Sequence, residues 1–240
     1  MKAMIFAAGL GTRLGSITRD TPKALLEING KTILHHAVER VSGFGFNDII
    51  VNVHYFADKV EREIENIQNE GFCVTVSDER KHLLETGGGL YKARWFFNEK
   101  PFLLYNVDII TDLNLLNLYK FHMKTNPLVT LSVSDRNDKR VFLINERGLI
   151  QGWRNRSTSE EIIRGSTDTR KLKEVAFSGV HVVNPEIFRF MKEGVYSLTS
   201  LYLELAPDHR IQTLKEDHCY WTDIGTPGDF ESVKRHFEDV

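Results

Sequence analysis

The sequence predicts a single α/β domain: a Rossmann-like, doubly wound, mainly parallel sheet with a small antiparallel portion in its second half. Three observations point there. Residues 3–8 and 101–107 are short continuous apolar runs, the pattern of strands buried on both faces of a parallel sheet. Residues 32–42 and 57–68, lying between them, repeat apolar side chains at helical spacing, so strands and helices alternate. From about residue 129 the texture changes to short strands separated by charged turns.

Taken in order, residues 3–8 form the first strand and run into a glycine turn. Residues 32–42 set Ile33, Leu34, Ala37, Val38 and Val41 on one helical face, residues 43–47 break the pattern, and 48–53 form the next strand. A second helix over 57–68 carries Val60, Ile64 and Ile67 inward, and 72–76 alternates as a strand. Residues 86–97 read as a helix opened by glycines, and 101–107 as a buried strand ending at Asp108. Strands over 129–133, 140–144 and 149–153 pair locally and antiparallel. Residues 154–173 are polar with little periodicity and read as an exposed excursion whose order is left open. A strand over 175–183 follows, Pro185 starts a helix to about Met191, residues 199–206 are helical, and 218–222 are strand-like. No repeat or linker marks a second domain, so 1–240 divides only into halves at about residue 128.

Among 240 residues, 31 Lys and Arg meet 33 Asp and Glu for a net charge of −2. A nucleic-acid partner would require a basic face, and none is expected. Two cysteines, Cys73 and Cys219, cannot build a disulfide framework and lack the CxxC spacing of a zinc site, which suits a reducing cytoplasm. No run approaches the roughly 18 to 20 apolar residues of a membrane span, and residues 3–10 are too short for a signal peptide, so no membrane association is expected.

Three loops carry candidate chemistry. Ala8-Gly9-Leu10-Gly11-Thr12-Arg13 follows the first strand, where glycines let exposed N–H groups approach a phosphate. Its spacing is neither the dinucleotide fingerprint nor a Walker A loop, which disfavours a nicotinamide enzyme. Arg13 inside the loop and Lys23 ten residues on are two cations suited to a triphosphate; a glycine turn with two solvated cations accounts for the same residues. Asp108 ends a buried strand, where ligands of open α/β sheets collect, although a strand-end Asp also serves as a turn residue. In Glu85-Thr86-Gly87-Gly88-Gly89, glycines before a helix would admit a flat base or simply make a flexible helix entry.

The residues 7–14, Pro22-Lys23-Ala24-Leu25, Gly30-Lys31, Asn106-Val107-Asp108 and Trp221-Thr222-Asp223-Ile224-Gly225-Thr226-Pro227 closely resemble, in order and over almost the whole chain, the sugar-1-phosphate nucleotidyltransferase family. The resemblance implies that a nucleoside triphosphate reacts with a sugar 1-phosphate to give an NDP-sugar and pyrophosphate. It implies a nucleotide site at Ala8, Gly9, Gly11, Thr12, Arg13, Lys23, Gly87 and Gly88, with Arg13 and Lys23 on the reacting phosphates and Mg²⁺ held by Asp108 and Asp223. It also implies a nucleotide-binding first half and a sugar-phosphate-binding second half, with Asn106 and Gly179 of Phe177-Ser178-Gly179-Val180 at the sugar. Leu84-Glu85-Thr86-Gly87-Gly88-Gly89-Leu90 looks most like members using UTP with N-acetylmuramate 1-phosphate, and like mannose-1-phosphate guanylyltransferases; heptose is a further guanylyl substrate to weigh. Gly15-Ser16 departs from the basic residue and proline that many members carry there. A non-catalytic relative would be expected to lose one of the two cations or two aspartates, and all four are present. The length leaves no room for a C-terminal hexapeptide-repeat domain, and assembly as a homo-oligomer is left open.

Overall fold

A computed structural model describes residues 1–164 and 169–238. Strands β1 (Lys2–Phe6), β2 (Glu27–Ile28), β3 (Lys31–Thr32), β4 (Asp48–Val53), β5 (Cys73–Asp78), β6 (Phe102–Asn106) and β7 (Ile109–Thr111) belong to the first half. The second half contributes β8 (Val129–Ser134), β9 (Arg140–Ile144), β10 (Ile150–Asn155), β11 (Glu160–Ile163), β12 (Lys173–Val183), β13 (Ile211–Lys215) and β14 (Trp221–Asp223). Helices are α1 (Ile33–Gly43), α2 (Ala57–Asn69), α3 (Glu85–Lys92), α4 (Leu115–Thr125), α5 (Leu198–Leu205) and α6 (Pro227–Glu238).

The expected α/β architecture is found. Strands β5, β4, β1 and β6 lie side by side and parallel, with Ile5 of β1 opposite both Val51 and Tyr105. The sheet continues antiparallel into β12, whose C-terminal part also pairs with β8 and whose first residues pair instead with β9. That branch, β9 to β10 to β11, is the antiparallel portion, while β13 adds to β8 in parallel.

Alternation along β1 explains the two layers of helices. Ala3 and Ile5 join a core containing residues of α1, α2, α4 and α6, while Met4 and Phe6 join a second core with Leu90 of α3 and Leu198, Leu201 and Tyr202 of α5. Thr32 caps α1 by accepting from the His35 N–H at 3.0 Å, and Asn114 caps α4 by accepting from the Asn117 N–H at 3.0 Å.

The exposed excursion over 154–173 is corrected in part. β10 runs through Asn155, and β11 returns antiparallel to it with Arg154 opposite Glu161. Arg154 pairs with Glu161 and Glu174, and Arg156 with Glu174. Charge pairs across neighbouring strands stand where apolar alternation would have signalled the hairpin. Residues 165–168 of that segment lie outside the described residues. The helix expected from Pro185 is a short 3-10 helix, Pro185–Phe190, and the glycine-opened helix ends at Lys92, with a 3-10 turn over Ala93–Phe96.

Candidate active site

A cleft of about 410 Å³ opens where β1 and β6 end, walled on one side by the glycine loop and on the other by Leu83, Glu85 and Thr86 at the entry to α3. Ala8, Gly9, Gly11, Thr12, Arg13, Lys23, Asn106 and Asp108 all line it. A Cβ on Gly9 would meet nothing within 4 Å, so this glycine keeps the cleft open. Gly11 and Gly15 have φ of +66° and +60°, in the left-handed region where glycine is unstrained. Gly15 introduces a kink in the Thr12–Thr18 3-10 helix. Two hydrogen bonds secure the loop: the Thr18 hydroxyl donates to the Gly11 carbonyl at 3.1 Å and the Leu14 N–H donates to it at 2.9 Å.

The two aspartates, 115 residues apart in sequence, are joined by the small β7–β14 ladder. Asp223 pairs with Ile109, and the Ile224 N–H donates to the Asp108 carbonyl at 3.0 Å. The buried Tyr105 hydroxyl fixes the same turn by donating to the Ile109 carbonyl at 2.7 Å. Each carboxylate meets a cation. Lys23, only 9% exposed, pairs with Asp108; Arg13 stands 3.8 Å from Asp223 across Gly225, where a Cβ would come within 2.9 Å of the Arg13 guanidinium. Burial raises the Asp223 pKa, the charge of Asp108 raises it further, and Arg13 and Lys23 oppose both. Two carboxylates close enough to repel one another are a donor set a hard cation relieves. Among the described residues no group of three metal-ligating side chains forms, so the other ligands of such a cation would be water and phosphate oxygens, the habit of Mg²⁺.

The remaining sites expected from sequence are arranged differently. Gly87 and Gly88 are buried against residues 194–196: the Gly87 N–H donates to the Tyr196 carbonyl at 2.8 Å, and a Cβ on Gly88 would lie 2.0 Å from the Gly194 carbonyl oxygen. These glycines admit the neighbouring chain, and Glu85 and Thr86 take the cleft edge. Gly179, with φ of +74°, packs beside Asn106, but Ile109 fills the room above it at 2.7 Å from a built Cβ.

Two features escaped sequence reasoning. Asn52 and Glu79 form a buried chain behind the glycine loop, and Arg136 stacks on the Trp221 ring at 3.5 Å beside Ser178. Each depends on contacts between residues far apart in sequence, and Asn52, Glu79 and Arg136 sit in no short motif.

Fold and cleft together define a doubly wound α/β protein with a phosphate-type glycine loop facing paired cations and carboxylates. The chain matches the family described as nucleotidyl transferase over residues 2–240, and it belongs to that family. It is 30% identical over 231 residues to the N-acetylmuramate alpha-1-phosphate uridylyltransferase of Caulobacter vibrioides, covering 94% of this chain and 92% of that protein. The mannose-1-phosphate guanylyltransferase catalytic subunit beta of Xenopus tropicalis is 29% identical over 238 residues, 96% of this chain; the match spans only 62% of that subunit's length. The fold is shared with HddC from Yersinia pseudotuberculosis, at TM-score 0.75 and 22% identity over 98% of this chain and 99% of that one. It is shared too with a UDP-glucose pyrophosphorylase structure, at TM-score 0.76 and 17% identity over 100% of this chain and 99% of that one. No helix among the described residues is long and apolar enough to cross a membrane.

Proposed function

We propose that this protein transfers a nucleotidyl group from a nucleoside triphosphate to a sugar 1-phosphate, releasing pyrophosphate, with UTP and N-acetylmuramate 1-phosphate as its pair. The observation that carries the reaction class is the convergence of Arg13, Lys23 and Asp108 on one cleft beside the glycine loop, with Asp223 held next to Arg13. The pair rests on the uridylyltransferase relative, which is matched over nearly its whole length.

The chemistry asks little of a base. A sugar phosphate has a second pKa of about 6 and is mostly ionised near neutrality, so the attacking oxygen needs positioning and charge neutralisation. Ala8, Gly9, Gly11 and Thr12 cradle the phosphates; Arg13, free to reach outward, stabilises the departing pyrophosphate; Lys23 bridges the reacting phosphates. Asp108 and Asp223 would hold Mg²⁺, which when bound would offset charge on the reacting phosphates. Asn106 meets the sugar, with Gly179 supporting it from behind, and the base lies along Glu85 and Thr86 towards Gly87 and Gly88.

A mannose- or heptose-type guanylyltransferase is the second reading, favoured by the Xenopus relative. The two free cysteines fit work in the reducing cytoplasm, and the sheet shared by both halves fits a single domain. The test is pyrophosphate release with Mg²⁺ across UTP, GTP, dTTP, CTP and ATP against N-acetylmuramate, N-acetylglucosamine, glucose, mannose and heptose 1-phosphates. Turnover is expected for UTP with N-acetylmuramate 1-phosphate. A productive GTP pair would move the assignment to the second reading, and silence across the matrix from folded protein would overturn the reaction class.

A further inference from the structure

Behind the cleft, a chain of three hydrogen bonds links its two walls. The Ala7 N–H, the first amide of the glycine loop, donates to Asn52 Oδ1 at 2.8 Å, and Asn52 Nδ2 donates to Glu79 Oε1 at 2.8 Å. The other carboxylate oxygen, Oε2, accepts from the Leu84 N–H at 3.4 Å, immediately before α3. Asn52 and Glu79 are 2% and 1% exposed. Burying a carboxylate is costly, and among the described residues no lysine or arginine forms an ion pair with it; the Asn52 and Leu84 N–H groups hold it.

The surroundings are shaped around this chain. A Cβ on Gly89 would come within 2.7 Å of Glu79 Oε1 and 3.1 Å of Asn52 Nδ2, so the glycine lets α3 lie directly against the pair. The helix then opens on Glu85 with φ of +57°, a left-handed conformation that a glutamate does not adopt unless held there. Glu85 and Thr86 are the residues that face the cleft from that side, and Ala7 begins the loop that faces it from the other.

Resting on the nucleotide reading of the cleft, we propose that Asn52 and Glu79 are positioning residues for the nucleoside triphosphate, setting the span between the phosphate loop and the α3 entry. Asn52 also borders the cleft, while Glu79 reaches the ligand through the backbones the pair orients. Loss of Asn52 frees Ala7 and loss of the Glu79 carboxylate frees Leu84; either one breaks the link between the two walls, so the pair acts as one unit.

The experiment is calorimetric titration of UTP and of GTP, without sugar phosphate, into the wild type and into Glu79→Gln, Asn52→Ala and the double variant, alongside melting temperatures. Whichever nucleotide the wild type binds should bind each single variant at least tenfold more weakly at an unchanged number of sites, and the double variant within about twofold of the weaker single one. A variant that binds as tightly as the wild type, or one that loses only sites while melting lower, would show the pair to be purely structural and overturn the proposal. If Glu79→Gln does not fold, Asn52→Ala decides, because the carboxylate keeps its Leu84 partner. A wild type that binds neither nucleotide would overturn the reading of the cleft and the proposal with it.

Discussion

Lys23 and Arg13 face the same cleft under opposite conditions. The side chain of Lys23 is 11% exposed and that of Arg13 is 62% exposed, so removing them tests different things. Arg13→Ala deletes an ion pair at 3.8 Å whose arginine is largely exposed, a contact that contributes little to folding. Its urea midpoint should match the wild type while turnover falls about a hundredfold, the scale of one lost charge-stabilising donor. A wild-type rate would remove Arg13 from the leaving-group role. Lys23→Met should cost turnover on a similar scale and stability as well, because it strands the half-buried carboxylate of Asp108. The four charged residues were legible because each lies inside a short motif in a fixed order. Asn52 was not: it interrupts a strand whose neighbours Ile50, Val51 and Val53 are wholly buried, and its partner Glu79 stands among charged turn residues. Only the pairing of β4 with β5 and the return of the chain to α3 bring them together.

At the scale of elements, glycines separate into those that open the cleft and those that let backbones touch. Gly88→Ala would drive a Cβ to 2.0 Å from the Gly194 carbonyl oxygen, an overpacking that should cost about 1 to 3 kcal/mol of stability in urea titration. Gly9→Ala meets open space and should unfold with the wild type while binding nucleotide more weakly, since its methyl group would project where phosphate approaches. Equal urea midpoints for both variants would undo this division of roles. Sequence patterns located most of the parallel block, and β4 spans the expected residues 48–53, because fully buried strands are continuous apolar runs. Helices α4 and α6 went unread for opposite reasons. The first half of α4 is apolar nearly all round, which hides its buried stripe of Leu115 and Leu118. By contrast α6 is mostly polar and buries Phe230 and Val233, with Phe237 packing partly buried against the core, so its helical start shows mainly in Thr226, whose N–H donates to Asp229 Oδ2 at 2.7 Å.

Two buried histidines, His122 and His181, lie on opposite faces of the sheet and couple the stability of the whole molecule to pH. His122 on α4 reaches Thr130 of β8 through Nδ1 at 2.9 Å, and His181 of β12 lies edge-on to Tyr202 of α5. Neither ring nitrogen of His181 finds a hydrogen-bond partner among the described residues. Burial pushes the His122 pKa down from 6.5 to about 4 and that of His181 down to about 3. A lowered pKa in a basic group means the unfolded chain takes up protons first. The stability held by each neutral ring is therefore fully present above pH 6.5 and drains away as pH falls towards the folded values. At pH 5 the unfolded state gains about 2 kcal/mol from each histidine, so the two together account for about 4 kcal/mol, a large share of an ordinary domain's 5 to 15 kcal/mol. His181→Phe keeps a ring between Phe177 and Tyr202 and has nothing to protonate. Urea midpoints at pH 7.5 and pH 5.0 should fall steeply for the wild type, and the variant should recover about half of that difference. The same acid loss in both proteins would mean that other groups, and not these buried rings, set the acid limit of the fold.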